Sequence, residues 1–281
     1  MSQYSFTQED VDRLEAQAQQ IRADIISMIH AAKAGHPGGS LSAVEMVTAL
    51  YFHVLNIDPQ NPDWPDRDRF ILSKGHACPV LYACLARRSF FDPGILNTLR
   101  QYKSILQGHP DMNKVPGLDM SAGSLGNGLS IGVGMAMSAK LHRQDYMTYV
   151  MLGDGEIQEG MVWEAAMAAA HHNLKNLTAI VDCNGVQIGG WTNDVMCVEP
   201  LADKWRAFGW AVVEVNGHNI TDVLTALHTA KTMRKPTAIL MRTVKGKGVS
   251  FMEDDPKWHG AAPTDEELVA AICQIKKGGI V

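Results

Sequence analysis

The sequence has no apolar run of about 18 residues, the length that a helix needs to cross a bilayer. It begins with a polar, acidic stretch, MSQYSFTQEDVDRLEAQ, which has neither the basic start nor the apolar middle of a secretory signal. We therefore expect neither a membrane span nor a signal peptide, and no membrane partner.

Clusters of basic residues are also scarce. The chain has 25 lysines and arginines against 30 aspartates and glutamates, which gives a formal net charge of −5. Its basic groups, such as Lys245-Gly246-Lys247, are too short to neutralise a run of phosphates. We therefore expect no nucleic-acid partner.

Cysteine is sparse, odd in number and without the CxxC spacing of zinc or redox sites. The five residues are Cys78, Cys84, Cys183, Cys197 and Cys273. Neither a disulfide framework nor a cysteine-based zinc centre is expected from this pattern. It is typical of reduced, mostly buried thiols in a cytoplasmic protein.

What the chain does contain is apolar sequence in alternating strand-like and helix-like stretches. Of its 281 residues, 46% are hydrophobic and 20% are charged, which is enough for one large core. Apolar runs predict strands at 69–72, 147–152, 177–181, 211–215 and 237–243. Helical spacing predicts helices from residue 7 or 10 to about 34, and at 41–54, 77–87, 158–172, 202–208, 219–233 and 264–275. This order predicts an α/β fold, a doubly wound and mostly parallel sheet with helices on both faces, formed by a single domain of residues 1–281 with an N-terminal helical extension.

The chain is organised around residues 147–184, where two apolar runs flank a GDG turn and an alanine-rich helical stretch. Strand, turn, helix and strand make one right-handed βαβ unit. Asp154 and Asn184 follow its two strands, so both should lie at the carboxyl edge of the sheet, where such folds bind ligands. A carboxylate and an amide oxygen suit a hard divalent cation, and Gly155 lets an anion approach the backbone amides. These features predict a site for Mg²⁺ and a diphosphate.

The GDG turn alone also has a simpler interpretation. A lone GDG is more often a turn whose aspartate caps the following helix. The later Asn184, which follows a second apolar run, favours the metal site.

Four of the eleven histidines are flanked by glycine in predicted turns. They are His36 in GHPGG, His76 in SKGHA, His109 in QGHPD and His259 in KWHGA. One such histidine alone is usually a turn or capping residue. Four of them together with a diphosphate loop indicate catalysis, because loops on an α/β scaffold commonly carry catalytic groups. The unperturbed pKa of imidazole is near neutral, which suits proton transfer.

The order of these motifs resembles that of the transketolase family. The motifs are GHPG, SxGH, GHP, the GxLGxG of residues 123–128, GDG with its later Asn184, and the HG of residues 259–260. The resemblance spans nearly the whole chain and matches the half of a transketolase that binds the cofactor diphosphate. It implies the thiamine diphosphate (ThDP) binding fold. It also implies transfer of a two-carbon ketol unit from a ketose phosphate donor to an aldose phosphate acceptor, as in the pentose phosphate pathway.

The resemblance also implies roles for individual residues. Mg²⁺, or Ca²⁺ or Mn²⁺ in its place, would be held by Asp154, Asn184 and the backbone carbonyl of Val186. ThDP would be bound by His76, Gly123, Leu125, Gly153, Asp154, Gly155, Glu159, Asn184, Ile188 and His259. The catalytic residues would be His36, His76, His109 and His259, which would bind ketose hydroxyls or move protons.

Half of a transketolase active site has no counterpart in this sequence, which stops at Val281. In the family, the glutamate that contacts the aminopyrimidine ring and the arginines that bind the sugar phosphate lie in a pyrimidine domain. The resemblance therefore implies the N-terminal subunit of a split transketolase. It would be inactive alone and would share its active site with a C-terminal subunit in an α2β2 assembly.

Four other functions stay open. A synthase for deoxyxylulose phosphate shares several of the motifs but is normally one long chain. The α subunit of a 2-oxo acid dehydrogenase also carries GDG and a later asparagine, but it lacks the motifs around His36, His76 and His259. A non-catalytic ThDP-fold scaffold subunit is disfavoured because the four histidines and both metal ligands are present. A dinucleotide-binding protein is disfavoured because Gly126-x-Gly128 is not completed to GxGxxG and lies in a helical stretch.

Overall fold

The computed structural model describes residues 6–278, so the first five and the last three residues of the predicted 1–281 domain lie outside the described residues. The described residues form ten α-helices and seven β-strands. In this part of the chain, no helix is both long enough and apolar enough to cross a membrane.

The first helix, α1 (Gln8–Ala32), begins at a capping box. Thr7 Oγ1 accepts a hydrogen bond from the Asp10 amide at 3.2 Å, and the Asp10 carboxylate accepts one from the Thr7 amide at 3.0 Å. The helix ends at Lys33, whose left-handed φ of 52° stops the helical repeat. The structure therefore confirms the predicted N-terminal helix, which ends about two residues earlier than expected.

The strands divide into a large sheet and a small hairpin. In chain order they are β1 (Arg69–Leu72), β2 (Thr148–Gly153), β3 (Leu177–Cys183), β4 (Val186–Gln187), β5 (Gly190–Trp191), β6 (Ala211–Asn216) and β7 (Thr237–Arg242). Five of them pair in parallel in the order β1-β2-β3-β7-β6, and β4 and β5 form an antiparallel hairpin. The central strands are buried on both faces, which is why their sequences are continuous apolar runs.

The chain reverses its direction across the sheet after β3. Strands β1, β2 and β3 are neighbours in sequence and in space, whereas the chain then crosses to the edge strand β6 and returns to β7 beside β3. This topology confirms the predicted doubly wound α/β fold. Asp154 directly follows β2 and Asn184 directly follows β3, so both lie at the carboxyl edge where such sheets bind ligands.

Helices cover both faces of the sheet. After α1 they are α2 (Pro37–Leu41), α3 (Val44–Ala49), α4 (Cys78–Arg87), α5 (Asn127–His142), α6 (Gly160–His171), α7 (Thr192–Val195), α8 (Leu201–Ala207), α9 (Ile220–Thr232) and α10 (Asp265–Lys277). Alternate residues of β2 pack into two hydrophobic cores. Tyr149 and Met151 pack with α1, α3, α4 and α9, whereas Val150 and Leu152 pack with α5, α6 and α8.

The stretch predicted as one helix over 41–54 consists of separate pieces. Helix α2 already begins at Pro37, whose fixed φ suits the first helical position, α3 follows, and residues 50–54 form a wider π-helical turn. Ser40 lies inside α2, where its hydroxyl donates to the His36 carbonyl at 2.7 Å. The break therefore places His36 immediately before a short helix.

The prediction of mostly buried thiols is wrong for two of the five cysteines. Cys78 and Cys84 are buried and Cys183 is half-buried, whereas Cys197 and Cys273 are exposed. The exposed thiols lie after α7 and on the outer face of the amphipathic α10, where no core covers them.

Candidate functional site

A cleft of about 410 Å³ opens at the carboxyl edge of the sheet. Its lining includes every residue that the sequence suggested for catalysis, cofactor binding or metal binding. These residues are His36, His76, His109, Gly123, Leu125, Gly153, Asp154, Gly155, Glu159, Asn184, Val186, Ile188 and His259. The fold thus gathers loops that are far apart in the sequence into one place.

Asp154 is 5% exposed and is held by two backbone amides. Its Oδ1 accepts from the Gly155 amide at 2.8 Å, and its Oδ2 accepts from the Gly185 amide at 2.6 Å. The second bond joins the end of β2 to the residue after Asn184. Burial and the nearby Asp182 carboxylate raise the pKa of Asp154 to about 6. A cation at this carboxylate would compensate the charge that burial disfavours.

The side-chain amide of Asn184 is held at both ends. Its Nδ2 donates to Asp182 Oδ2 at 2.9 Å, and its Oδ1 accepts from the Val186 amide at 3.1 Å. Because a carboxylate only accepts hydrogen bonds, Asp182 determines which end of the amide is the oxygen. That oxygen keeps a second lone pair, which is available to a metal ion.

Three of the four glycine-flanked histidines form a triangle. The ring centroids of His36 and His76 are 5.1 Å apart, those of His36 and His259 are 5.5 Å apart, and those of His76 and His259 are 5.2 Å apart. His109 lines the same cleft and influences the pKa of His36. The structure therefore brings all four rings to one cavity.

The environment of the four imidazoles lowers their pKa values and so favours the neutral rings. Burial, assisted by nearby positive charges, lowers the pKa of His36 to about 4, that of His76 to about 2 and that of His259 to about 4. Burial and Arg100 lower the pKa of His109 as well. The near-neutral pKa of a free imidazole therefore does not apply here. Each ring instead offers one donor and one acceptor nitrogen.

The cleft also contains two lysines that sequence reasoning missed. Only 2% of Lys74 and 3% of Lys245 is exposed, and both line the cleft. Lys74 Nζ donates to Asp182 Oδ2 at 2.5 Å and to the Gly39 carbonyl at 2.8 Å. Lysines are rarely buried without a partner, and Lys74 has one in its ion pair with Asp182.

Lys245 has no carboxylate at hydrogen-bond distance among the described residues. Its Nζ donates to the Val186 carbonyl at 2.6 Å and contacts His259 Nδ1 at 3.0 Å. Burial, together with Lys74, lowers its pKa to about 8, so it is still mostly protonated at neutral pH. A sequence signal for this residue exists, because Lys245 follows the apolar strand β7 closely, as Asp154 follows β2.

Three further polar residues line the cleft without having been predicted, namely Glu156, Gln158 and Gln187. Gln158 Nε2 donates to Gln187 Oε1 at 2.7 Å and to the Met196 carbonyl at 2.9 Å. These bonds tie the β4–β5 hairpin and the segment after α7 to the GDG turn. The hairpin strands are two residues long, and no periodic pattern in the sequence marks them.

The residues present fit a diphosphate with its metal ion. Gly123 has no atom within 4 Å of the place that a Cβ would occupy, which leaves room beside the loop. His36 Nδ1 is buried, and no described residue offers it a hydrogen bond, so a ligand can supply the partner. Two buried ammonium groups suit a polyanion, and the oxygens of Asp154 and Asn184 suit a hard cation.

The described residues contain no group of three or more histidine, cysteine, aspartate or glutamate side chains that could hold a metal ion. The set predicted for Mg²⁺ does not need one, because it combines the Asp154 carboxylate, the Asn184 amide oxygen and the Val186 carbonyl. Mg²⁺ commonly takes few protein ligands and completes its shell with water and phosphate oxygens.

Comparisons with known proteins show which family this chain belongs to. Residues 14–277 match the family model described as transketolase, thiamine diphosphate binding domain. A Phocaeicola vulgatus protein named as an apulose-4-phosphate transketolase subunit is 44% identical over 95% of this chain and 95% of its own length. A Clostridium sp. (strain MSTE9) protein named as a 6-deoxy-6-sulfo-D-fructose transketolase subunit is 45% identical over 95% of this chain and 97% of its own length. Human transketolase is 38% identical over 95% of this chain, which spans only 42% of the human protein.

Solved structures agree with the sequence relatives. The crystal structure of Campylobacter jejuni transketolase aligns with a TM-score of 0.89 at 33% identity and covers 94% of this chain and 42% of that chain. These similarities set aside the dehydrogenase and dinucleotide-binding alternatives. The chain belongs to the transketolase family, contains its thiamine diphosphate binding domain, and matches proteins named as transketolase subunits over nearly their whole length.

Proposed function

We propose that this chain is the N-terminal, diphosphate-binding subunit of a ThDP- and Mg²⁺-dependent transketolase, and that a C-terminal subunit completes its active site. The proposal rests on one observation, the convergence of metal-type oxygens, two buried lysines and four histidines in a single cleft. The family membership and the two relatives named as subunits support it.

The diphosphate end of the cleft would bind the metal and the cofactor anion. Asp154, Asn184 and the Val186 carbonyl would hold Mg²⁺, for which Ca²⁺ or Mn²⁺ could substitute. Lys74 and Lys245 would compensate the negative charge of the diphosphate. The other residues proposed to contact ThDP are His76, Gly123, Leu125, Gly153, Gly155, Glu159, Ile188 and His259.

The histidines would act on the sugar. When bound, ThDP supplies the nucleophilic carbon that carries a two-carbon unit from a donor ketose to an acceptor aldose. His36, His76, His109 and His259 would hydrogen-bond to sugar hydroxyls and move protons between sugar oxygens. Because the rings are neutral, each can donate from one nitrogen while it accepts at the other. The cleft would also restrict the access of water to the reacting atoms.

The proposed substrates are a ketose donor and an aldose acceptor with an anionic terminal group. The names of two relatives specify apulose-4-phosphate and 6-deoxy-6-sulfo-D-fructose. The pentose phosphates expected from the sequence are thus one choice within a wider class of sugars. The groups that bind the anionic terminus are proposed to lie on the partner subunit.

An exposed apolar patch beside the cleft supports a partner chain. We name it the hairpin patch, and it consists of Ile188, Trp191, Val195 and Met196, which are 78%, 46%, 46% and 61% exposed. Exposed apolar side chains grouped in one segment commonly mark an interface. The C-terminal subunit, with its pyrimidine and C-terminal domains, is proposed to cover the patch in an α2β2 assembly. The cytoplasmic location stays a prediction.

The deciding experiment is transketolase activity with xylulose 5-phosphate, ribose 5-phosphate, ThDP and Mg²⁺. The chain is assayed alone and mixed with a C-terminal transketolase subunit encoded beside it. Activity in the mixture only, abolished by EDTA, would support a shared, metal-dependent site. ThDP binding without activity on these sugars would redirect the search to other ketoses or to a non-catalytic scaffold. Full activity of the chain alone would overturn the two-subunit proposal.

A further inference from the structure

Glu156 is a buried acid that the proposed chemistry does not use. It is the first residue of the short helical turn Glu156–Gln158, which follows the GDG motif, and only 3% of it is exposed. The described residues place no arginine or lysine within ion-pair distance of its carboxylate. A buried carboxylate without a paired cation needs several hydrogen-bond donors to be tolerated.

Those donors come from three separate segments of the chain. Glu156 Oε1 accepts from the Ser73 hydroxyl and from the Gly126 amide, the latter at 2.9 Å. Its Oε2 accepts from the Gly153 amide at 3.0 Å. Ser73 Oγ in turn accepts from the Gly128 amide at 3.1 Å. Burial raises the pKa of Glu156, while these bonds favour its ionised form.

Each segment is directly attached to residues that line the cleft. Ser73 precedes the buried Lys74, Gly153 precedes Asp154, and Gly126 follows Leu125. One carboxylate thus joins the exit of β1, the exit of β2 and the loop that leads into α5.

The backbone conformation of Gly126 directs its amide towards Glu156. Gly126 caps α5 with a left-handed φ of 84°, and a Cβ there would lie 2.8 Å from the Cβ of Glu159. Only glycine adopts this conformation without strain, so its amide is aimed at Glu156 by the backbone itself. The loop that it ends contains Gly123, beside which the structure leaves open space.

We propose that Glu156 is a positioning residue, whose carboxylate holds these three segments in register so that the diphosphate cleft is formed before a ligand enters. A carboxylate suits this role because it has two acceptor oxygens and no donor. Glutamine has the same shape, but its NH₂ group would face either the Gly153 amide or the donors from Ser73 and Gly126. The inference rests on the proposed function only in taking ThDP as the ligand.

The first test needs no cofactor. Hydrogen exchange of the full chain alone is compared between the wild type, Glu156→Gln and a matched control, Glu266→Gln, which changes an exposed acid on α10. We expect Glu156→Gln to speed exchange about tenfold or more in segments 73–76, 121–128 and 153–156, and not in β3 or β7. Glu266→Gln should match the wild type. Unchanged exchange in all three segments of Glu156→Gln would overturn the inference.

The second test distinguishes a positioning role of Glu156 from a general loss of folded protein. ThDP affinity with Mg²⁺ is measured by calorimetry on the two-chain complex, and kcat is measured at saturating ThDP. Glu156→Gln should raise the Kd of ThDP ~10–100-fold while kcat at saturation stays near the wild-type value. A merely structural role would lower kcat through a smaller folded fraction and leave Kd unchanged, and that result would contradict the inference.

A milder substitution tests the same contact in case Glu156→Gln does not fold. Ser73→Ala removes one of the three donors to Glu156 and should raise the Kd of ThDP in the same direction by a smaller factor. Wild-type affinity in both variants would overturn the role of Glu156. A wild-type complex that binds no ThDP would instead overturn the proposed function, and the hydrogen-exchange test would still decide the role of Glu156.

Discussion

Lys245 is the residue at which burial and charge conflict most directly. The residue is 3% exposed, and its ammonium group donates to the Val186 carbonyl and contacts the His259 ring, but no carboxylate of the described chain lies at hydrogen-bond distance. A buried charge without a directly paired counter-ion destabilises a fold, and the Asp182 and Asp154 carboxylates only partly offset the burial of Lys245. Its presence is therefore better explained by an anionic ligand than by the stability of the ligand-free chain.

We expect Lys245→Met to weaken ThDP binding without destabilising the ligand-free chain. A hydrogen bond to a charged group contributes about 1.5–3 kcal/mol, so the Kd of ThDP in the two-chain complex should rise ~10–100-fold. The Tm of the ligand-free chain should stay unchanged or rise, because the buried charge is gone. Lys247→Met is the control, since Lys247 is 37% exposed and pairs with Glu253. A fall in Tm together with unchanged ThDP affinity would show that Lys245 is structural.

The sequence alone identified those individual site residues that lie in short glycine-containing motifs. Asp154 and the four histidines could be selected because glycine and proline mark their turns locally. Lys74 and Glu156 could not be selected, because their significance comes from burial among distant segments. The lowered histidine pKa values likewise depend on which rings the fold brings together.

Among the elements, Glu45 of α3 connects α1 to the segment that follows β7. Its carboxylate pairs with Arg22 of α1 and accepts from His218 Nδ1 at 3.1 Å, while His218 Nε2 accepts from the Val244 amide at 2.8 Å. Because Nε2 is an acceptor here, the ring proton is on Nδ1. The segment fixed in this way carries Lys245 into the cleft.

This network predicts how stability depends on pH. Burial alone would raise the pKa of Glu45, but Arg22 and His218 hold it at about 2, below its ordinary 4.5. Its contribution is therefore complete above pH 4.5 and is lost as the pH falls from 4.5 towards 2. Glu45→Gln should lower the free energy of unfolding by about 3 kcal/mol at pH 7, because it leaves Arg22 buried without its partner.

Urea unfolding of the wild type and of Glu45→Gln between pH 7 and pH 3 checks this expectation. The difference between the two proteins should stay constant down to pH 4.5 and shrink below it. Glu9→Gln, at an exposed position of α1, should follow the wild type throughout. A difference that widens as the pH falls would refute the assignment.

The elements themselves were largely predictable, because the central strands are continuous apolar runs and α1, α9 and α10 have apolar residues at helical spacing. Strands β2, β3 and β7 have the continuous runs, and α1 and α10 also have capping residues at their starts. The two-residue strands of the hairpin carry no period, and no sequence pattern marks the break between α2 and α3, where the Ser42 hydroxyl donates to Asp182 Oδ2 at 2.6 Å. Both failures lie at the candidate site, where local sequence patterns are overridden by tertiary contacts.

At the scale of the whole molecule, the cleft and the hairpin patch form one continuous surface, since Ile188 belongs to both. The fold class follows from the order of the elements, whereas the proposed second chain is supported by the relatives that are named as transketolase subunits. A partner that covers the patch would also close the open side of the cleft. Assembly and completion of the active site would then be one event.

We expect Met196→Lys to weaken assembly without destabilising the chain. Met196 is 61% exposed, so a lysine there stays solvated in the isolated chain, and its Tm should change by little. In the complex the ammonium group would be buried in an apolar interface, which should raise the Kd for the C-terminal subunit ~10-fold or more. Val269→Lys, at a 69% exposed position of α10 away from the cleft, is the matched control and should leave that Kd unchanged. Sedimentation of each variant mixed with the C-terminal subunit measures the two Kd values. Equal values would place the partner on another face.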